Sequence, residues 1–228
     1  RQMGINSWKD LSNYGLSLTL GGGEVTMTEL ASVYGALAND GLKTNLNPII
    51  KVTDYKGRVL ENNHSQTTRV LSPQTAFLIS DILADNAART PAFGPSSALV
   101  IPNHFVSVKT GTAQDKRDNW TAGYSFGDNP RLAIVWVGNN DNSPMSPYLE
   151  SGNTGAAAIW HNLMVKLLAD KPDAKPGRPE NLVAVEVCAV NGLLPCDNCP
   201  ATRWEYFLPN TAPTQKCVME KKEEEKKN

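Results

Sequence analysis

Apolar and polar residues alternate with a period of two near the middle of the chain, which is the pattern of a β-strand. Val106, Val108 and Thr110 carry β-branched side chains at every second position, and Lys109 lies between the last two. The run continues through a glycine and a second threonine, so a strand is predicted over residues 106–114. A glycine within a strand leaves room for another backbone to approach closely.

Two more strands are predicted downstream. Residues 119–126 alternate about Trp120 and Tyr124, and residues 131–138 form the most apolar strand candidate of the chain. Residues 127–130 read Gly-Asp-Asn-Pro, a composition typical of a turn. Three consecutive strands with short connections favour an antiparallel meander.

Helical patterns precede this meander. Thr26 and Glu29 have the spacing of a capping box, and an apolar stripe at helical intervals follows them. Ser72 and Pro73 are typical of a helix start, and this second helix is predicted to run to about residue 88.

A last helix is predicted after the meander. It opens at Gly152-Asn153-Thr154, and we expect Ser151 or Asn153 to cap its first turn. The apolar residues that follow at helical spacing share one face of this helix: Ile159, Leu163 and Leu167.

The remaining patterns complete an α+β layout. Residues 49–53 and 58–60 are predicted to form a hairpin, and residues 89–103, which contain three prolines, are predicted to form a loop. The predicted fold class is therefore α+β, with an antiparallel sheet flanked by helices. A small cysteine-rich module of β-structure and loops follows it.

Prolines and a glycine among charged residues indicate a linker at residues 171–181. The predicted divisions are a main domain over residues 1–170, this linker, a cysteine-rich module over residues 182–218, and a charged tail over residues 219–228.

Composition excludes several classes of protein. A net charge of −1 predicts no basic surface, so no nucleic-acid partner is expected. No apolar run reaches the roughly 18 residues that a membrane span requires. No pair among His64, His104 and His161 has the spacing of metal ligands, so no metal site is predicted from the histidines.

The predicted strand at residue 106 also carries chemistry. Lys109, Thr110, Gly111 and Thr112 place one cation and two hydroxyl groups beside a bare stretch of backbone, which suits a peptide-like substrate with a carboxylate. An ordinary strand with one lysine on its solvent side is the alternative that this short motif leaves open. Ser107 has no basic partner in the motif and is expected to be a strand residue.

All four cysteines fall near the C-terminus. Cys196 and Cys199 have a spacing found in zinc sites, and four thiolates could together hold a zinc ion. One or two disulfides are the alternative, because a region this small needs a covalent or metal staple of either kind. The spacing leaves the pairing open among the four residues: Cys188, Cys196, Cys199 and Cys217.

Three stretches together resemble class A penicillin-binding proteins, which polymerise and cross-link peptidoglycan. The first is residues 18–31, where a glycine-rich turn opens a helix. The second is the Lys-Thr-Gly strand at residues 109–115 with the two strands after it, as far as residue 138. The third is residues 187–217, which resemble the small C-terminal module of some class A members. The order and spacing of the three stretches carry the resemblance.

The resemblance implies a serine D,D-transpeptidase, which attacks the D-Ala-D-Ala end of a stem peptide and passes the acyl group to an amine. Lys109 would supply positive charge near the reacting groups, and Thr110 and Thr112 would bind the substrate carboxylate. The backbone N–H of Thr112 would complete an oxyanion hole, and Gly111 would let the substrate backbone lie against the strand. No cofactor is implied for this reaction.

The family's Ser-x-x-Lys motif does not occur in the 228 residues. The only Ser-x-Asn, at residues 151–153, follows the Lys-Thr-Gly strand instead of preceding it. We therefore expect the nucleophile and a glycosyltransferase domain upstream of Arg1, in a longer parent protein, and expect the segment alone to be inactive. The alternatives are a D,D-carboxypeptidase or β-lactamase relative, or a non-catalytic wall-binding or scaffold protein.

The resemblance also implies the extracytoplasmic face of the bacterial membrane, with an anchor upstream of this chain. Disulfides persist in that compartment, which favours them over zinc. Cys188, Cys199 and Cys217 match the family pattern, and Cys196 is an addition. The expected partners are peptidoglycan stem peptides and β-lactams.

Overall fold

The computed structural model describes residues 1–146 and 155–219, which divide into two compact units at Gly177 and Arg178. The predicted limits of the linker and the tail stay predictions. The helices and strands, in chain order, are α1 (Met27–Ala38), β1 (Leu42–Thr44), β2 (Lys51–Thr53), β3 (Val59–Asn62), β4 (Thr67–Arg69), α2 (Pro73–Ala84), α3 (Asn86–Phe93), β5 (Val106–Thr112), β6 (Asp118–Ser125), β7 (Leu132–Gly138), α4 (Ala156–Leu168), β8 (Val183–Cys188) and β9 (Thr202–Phe207).

The centre of the first unit is an antiparallel sheet in the order β5-β6-β7, which confirms the predicted meander. The register places Thr112 opposite Asn119 and Lys109 opposite Ala122. Within the described residues β5 pairs with β6 alone, so its other edge is unpaired. The strand that carries the Lys-Thr-Gly motif is therefore an edge strand.

One face of this sheet is covered by α4. Trp160 and Met164 are fully buried against Val106 and Val108, and the Trp160 indole N–H donates to the carbonyl of Ala133 at 3.2 Å. Burying a side chain of this size stabilises the folded state by about 2 kcal/mol relative to leaving it exposed. The α4 helix is thus the main source of the core on this face.

The apolar face that the sequence predicts for α4 is not the face that the structure buries. Ile159 and Leu163 are 53% and 41% exposed, whereas Trp160, Met164 and Leu168 are buried. Apolar residues occur on both sides of this helix, and the aromatic ring with the largest area takes the sheet side. The predicted opening of the helix and its caps at residues 151–154 lie outside the described ranges.

The opposite face of the sheet is covered by α1 and α2. Tyr124 is fully buried there, its hydroxyl lies 2.7 Å from the Ser80 hydroxyl, and burial raises its pKa. Ser107 donates to the Ser80 carbonyl at 2.6 Å and is also fully buried. Ser107 is therefore a strand residue that ties β5 to α2, as expected.

The first turn of α1 has the predicted capping box. The Thr26 hydroxyl accepts from the Glu29 N–H at 3.2 Å, and the Glu29 carboxylate accepts from the Thr26 N–H at 3.0 Å. The same carboxylate accepts from the N–H groups of Asn6 and Ser7 at 2.7 and 2.8 Å, and from the Ser7 hydroxyl. Glu29 thereby joins the N-terminal segment to α1.

We expect Glu29 to make this junction sensitive to acid. The Ser7 hydroxyl, followed by the N–H groups of Thr26 and Asn6, lowers the pKa of Glu29 from 4.5 to about 2. Because the folded state holds the charged form, the stabilisation is complete above pH 4.5 and is lost as the pH falls through about 2. The Tm difference between the wild type and Glu29→Gln should therefore shrink from pH 5 to pH 2. A constant difference would contradict this role.

The connection between α2 and β5 differs from the prediction. Residues 86–93 form a helix, although a loop was predicted for residues 89–103 because of its prolines. Asp85 caps this helix through the Ala88 N–H at 2.9 Å, and Pro91 lies near its end, where one backbone hydrogen bond is lost. A strong cap therefore outweighs one internal proline in a short helix.

Upstream, β2 and β3 form the predicted hairpin. The pattern did not indicate β1 and β4, three residues each, which pair although 22 residues separate them. No helix in the described ranges is long and apolar enough to cross a membrane.

The second unit is a two-stranded antiparallel sheet of β8 and β9 held by two disulfides. Cys188 bonds to Cys199, and Cys196 bonds to Cys217. Of the two alternatives for the cysteines, the structure therefore has disulfides. Val187 is fully buried, and it is one of few buried apolar residues among those of this unit that the structure describes.

Candidate active site

The Lys-Thr-Gly strip lies where β5 emerges from the core. Residues 106–108 are buried, whereas Lys109, Gly111 and Thr112 are exposed and Thr110 is half-buried. The buried half anchors the strand under α4 and α2. The exposed half lies on the strand edge that has no partner among the described residues, so it is open to solvent and hence to an extended ligand.

Lys109 curls back over its own strand. Its ammonium group donates to the carbonyl of Thr110 at 2.9 Å. Strict alternation places the side chains of Lys109 and Thr110 on opposite faces of β5, and the Lys109 ammonium group reaches the main-chain carbonyl of the next residue. The ammonium group therefore lies beside the backbone of the strip.

Thr112 has a defined hydrogen-bond partner on the neighbouring strand. The Asn119 side-chain amide donates to the Thr112 hydroxyl oxygen at 3.3 Å. Asn119 is 1% exposed, and its carbonyl oxygen accepts from the N–H of Ala156, the first residue of α4, at 2.8 Å. The alternation of β6 in the sequence does not indicate a function for Asn119. Its burial in the structure does indicate a specific hydrogen-bond partner, because buried amides are rarely left without one.

Two tryptophans lie beside the strip on β6 and β7. Trp120 and Trp136 are directly opposite each other on adjacent strands, with ring centroids 6.3 Å apart. The Trp136 indole N–H donates to the Asp118 carboxylate at 2.7 Å. These contacts hold the ends of β6 and β7 together next to Gly111, which is opposite Trp120.

Gly111 is not required by the protein's own packing. A Cβ atom there would meet only the Trp120 Cβ, at 3.6 Å, and the Gly111 backbone is outside the left-handed region. Gly123 differs, because a Cβ there would lie 2.5 Å from the Trp160 ring and 2.8 Å from the Ser107 carbonyl. Neither packing nor backbone conformation therefore explains the glycine at position 111, and a role in ligand binding is left as the explanation.

The two glycines predict opposite outcomes for the same substitution. Gly111→Ala should leave the Tm unchanged. If the substrate backbone lies against Gly111, as the family resemblance implies, the added methyl group should slow acylation of the parent protein by benzylpenicillin. Gly123→Ala should destabilise the fold by about 1–3 kcal/mol through overpacking. Thermal unfolding and acylation rates of both variants test this, and a large Tm loss in Gly111→Ala would contradict it.

The histidines do not come together. His104 lies 3.0 Å from the carbonyls of Pro102 and Lys171, and His161 lies 3.1 Å from the carbonyl of Ala98. Among the described residues, the one group of potential metal ligands is Cys188, Cys199 and Cys217, whose sulfur atoms lie within 4.8 Å of one another. All three are in disulfides, so their sulfurs are not thiolate ligands here.

The fold and the strip define a transpeptidase domain of the penicillin-binding type. Residues 2–164 match the family model described as the penicillin binding protein transpeptidase domain. Residues 178–222 match a second model, described as the C-terminal domain of penicillin-binding protein 1A. The chain belongs to the penicillin-binding protein family, and the predicted resemblance to its class A members is confirmed. The predicted α+β fold class is confirmed as well.

Similar proteins agree with this assignment. Penicillin-binding protein 1A of Clostridium tetani is 30% identical over 195 residues, which is 82% of this chain and 24% of that protein. Penicillin-binding protein 2D of Bacillus subtilis is 30% identical over 207 residues, which is 88% of this chain and 29% of that protein. The chain thus spans about a quarter of the length of these relatives.

Solved structures show the same fold. Penicillin-binding protein 1A from Haemophilus influenzae superposes with a TM-score of 0.72 at 23% identity, covering 95% of this chain and 36% of that one. Penicillin-binding protein 3 from Mycobacterium tuberculosis, complexed with ampicillin, superposes with a TM-score of 0.57 at 24% identity, covering 78% and 47%.

Proposed function

We propose that this chain supplies one wall of the acyl-transfer site of a peptidoglycan cross-linking D,D-transpeptidase. The observation that carries the proposal is an exposed Lys-Thr-Gly-Thr strip on an unpaired strand edge, within a chain of the transpeptidase family. An unpaired edge can accept an extended peptide by main-chain hydrogen bonds. The substrate is a stem peptide ending in D-Ala-D-Ala.

The reaction is a two-step acyl transfer. A serine hydroxyl from the longer parent protein attacks the carbonyl carbon of the penultimate D-Ala, and the terminal D-Ala leaves as its C–N bond breaks and its nitrogen takes up a proton. An amine of a second stem peptide then attacks the resulting ester. The new amide forms, the C–O bond of the ester breaks, and the serine regains its proton.

The strip would stabilise the negative charges of this reaction, which are the substrate carboxylate and the oxyanion. Lys109 and the hydroxyls of Thr110 and Thr112 would bind the C-terminal carboxylate of the stem peptide, since charge-assisted hydrogen bonds are the stronger kind. The Thr112 N–H would contribute to the oxyanion hole. Gly111 would admit the substrate backbone. The lack of close packing around Gly111, where a Cβ atom would meet only the Trp120 Cβ at 3.6 Å, supports this arrangement.

β-Lactams are the expected inhibitors, because their ring amide and carboxylate imitate the acyl-D-Ala-D-Ala end. The ampicillin complex of the Mycobacterium tuberculosis protein of the same fold supports this expectation. We also propose that the parent protein carries a glycosyltransferase domain and works on the extracytoplasmic side of the membrane. The disulfides in the second unit support that compartment.

Acylation of the parent protein by benzylpenicillin tests the proposal. Intact-mass spectrometry should show one added penicilloyl group, and peptide mapping should place it on a serine outside residues 1–228. The isolated segment should remain unmodified. No acylation of the parent protein, or modification of a residue within this chain, would overturn the proposal. Release of D-Ala without peptide cross-links when an amine acceptor is supplied would indicate a carboxypeptidase instead.

A further inference from the structure

We infer that Asn119 is a positioning residue, which orients the Thr112 hydroxyl so that its hydrogen points to the substrate carboxylate. This inference rests on the proposed function, because Thr112 is assigned to the carboxylate there. Asn119 itself is buried and does not touch the substrate. It acts through the contact of its amide with Thr112.

The direction of the hydrogen bond decides what Thr112 can do. A hydroxyl group has one hydrogen to donate and two lone pairs to accept with. The Asn119 amide N–H occupies a lone pair of Thr112, at an N–O distance of 3.3 Å. The hydroxyl hydrogen therefore cannot be used toward Asn119, and it remains available on the exposed side of the strand.

The other end of the Asn119 side chain fixes which atom faces Thr112. Its carbonyl oxygen accepts from the Ala156 N–H at 2.8 Å, at the N-terminus of α4. Because the oxygen is held by a donor, the amide nitrogen must point toward Thr112 and cannot exchange places with it. The helix N-terminus also polarises the amide, which makes the N–H a better donor.

Packing keeps this side chain in place. A Cβ atom at Gly155 would lie 2.8 Å from the Asn119 carbonyl oxygen, so the start of α4 closes tightly over the amide. Thr112 and Asn119 are also direct cross-strand partners in the β5–β6 register. Asparagine is therefore suited to the site at both ends, since it accepts from the helix and donates to the strip.

The chemistry of the site separates two substitutions. Asn119→Asp keeps an oxygen for the Ala156 N–H, and a negative charge at a helix N-terminus is favourable. It removes the N–H donor and offers Thr112 an acceptor, so the hydroxyl hydrogen would turn inward. Asn119→Ala removes both contacts and leaves the α4 N-terminus without this partner.

The test compares acylation of the parent protein by benzylpenicillin and by its methyl ester, which lacks the carboxylate. We expect Asn119→Asp to slow acylation by the acid about tenfold, the effect of one lost hydrogen bond. Acylation by the ester should change less than twofold. In a Thr112→Val background, Asn119→Asp should have no further effect on the acid. The Tm of Asn119→Asp serves as the folding control, and Asn119→Ala should lower it.

Each outcome has a distinct meaning. Equal losses with acid and ester, or an undiminished rate with the acid, would overturn the role of Asn119 while leaving the proposed function intact. An additive effect in the Thr112→Val background would overturn it too. If Asn119→Asp does not fold, the ester-to-acid rate ratio of Asn119→Ser, which keeps a small polar side chain, decides the same question. No acylation of the wild-type parent protein would instead reject the proposed function.

Discussion

Replacing Lys109 with alanine should slow acylation of the parent protein by benzylpenicillin about 100-fold or more, which is the loss typical when one fixed charge-stabilising group leaves an active site. Lys109 is the only charged residue of β5, and its ammonium group lies beside Thr110 on the exposed half of the strand. The substitution removes this cation without opening a cavity. The Tm should therefore stay close to that of the wild type.

Two further variants separate charge from geometry. Lys109→Arg keeps the charge but changes the shape of the donor group, so it should recover part of the rate. Lys51→Ala removes an exposed lysine from a different strand, β2, and should have no effect. Pre-steady-state acylation rates measured for all three variants make the comparison. A wild-type rate in Lys109→Ala would remove Lys109 from the mechanism.

Loss of both disulfides should unfold the second unit while the first unit stays folded. Its described part buries few apolar side chains, and removing a native disulfide from so small a domain costs about 2–5 kcal/mol. Under reduction, the amides of β8 and β9 should lose protection against hydrogen exchange. The amides of β5 and β6 should keep theirs, because their core contains no cysteine.

Matched variants apportion the effect between the two bonds. Cys188→Ala with Cys199→Ala removes one disulfide, and Cys196→Ala with Cys217→Ala removes the other. Each pair should lower the free energy of unfolding of this unit. Thiol titration of the denatured wild type should give no free thiols without reductant and four with it. Four free thiols together with bound zinc, in the unreduced protein, would contradict the disulfide assignment.

Local signals were enough to predict much of the first unit. Both helix starts are set by residues that are close in the chain. Thr26 and Glu29 of the capping box are three residues apart, and Ser72 and Pro73 are adjacent. The meander follows from period-two alternation and short turns. The roles assigned to the strip come from the family resemblance and stay predictions.

The features that could not be predicted depend on contacts between distant residues. The α4 helix is apolar on two sides, so periodicity alone could not choose between Ile159 and Trp160 as the buried position. The contact of Asn119 with Ala156 joins residues 37 apart in the chain, and no local pattern reports it. The pairing of four cysteines likewise depends on the fold of the whole second unit.

The unpaired edge of β5 has a consequence for solubility. An exposed edge strand presents N–H and C=O groups that can pair with the same strand of another copy, and a lysine on that edge opposes such pairing. We therefore expect Lys109→Ala to increase concentration-dependent self-association of the isolated segment, measurable by light scattering. A single side chain would then keep this edge open to a stem peptide and closed to a second copy of the chain.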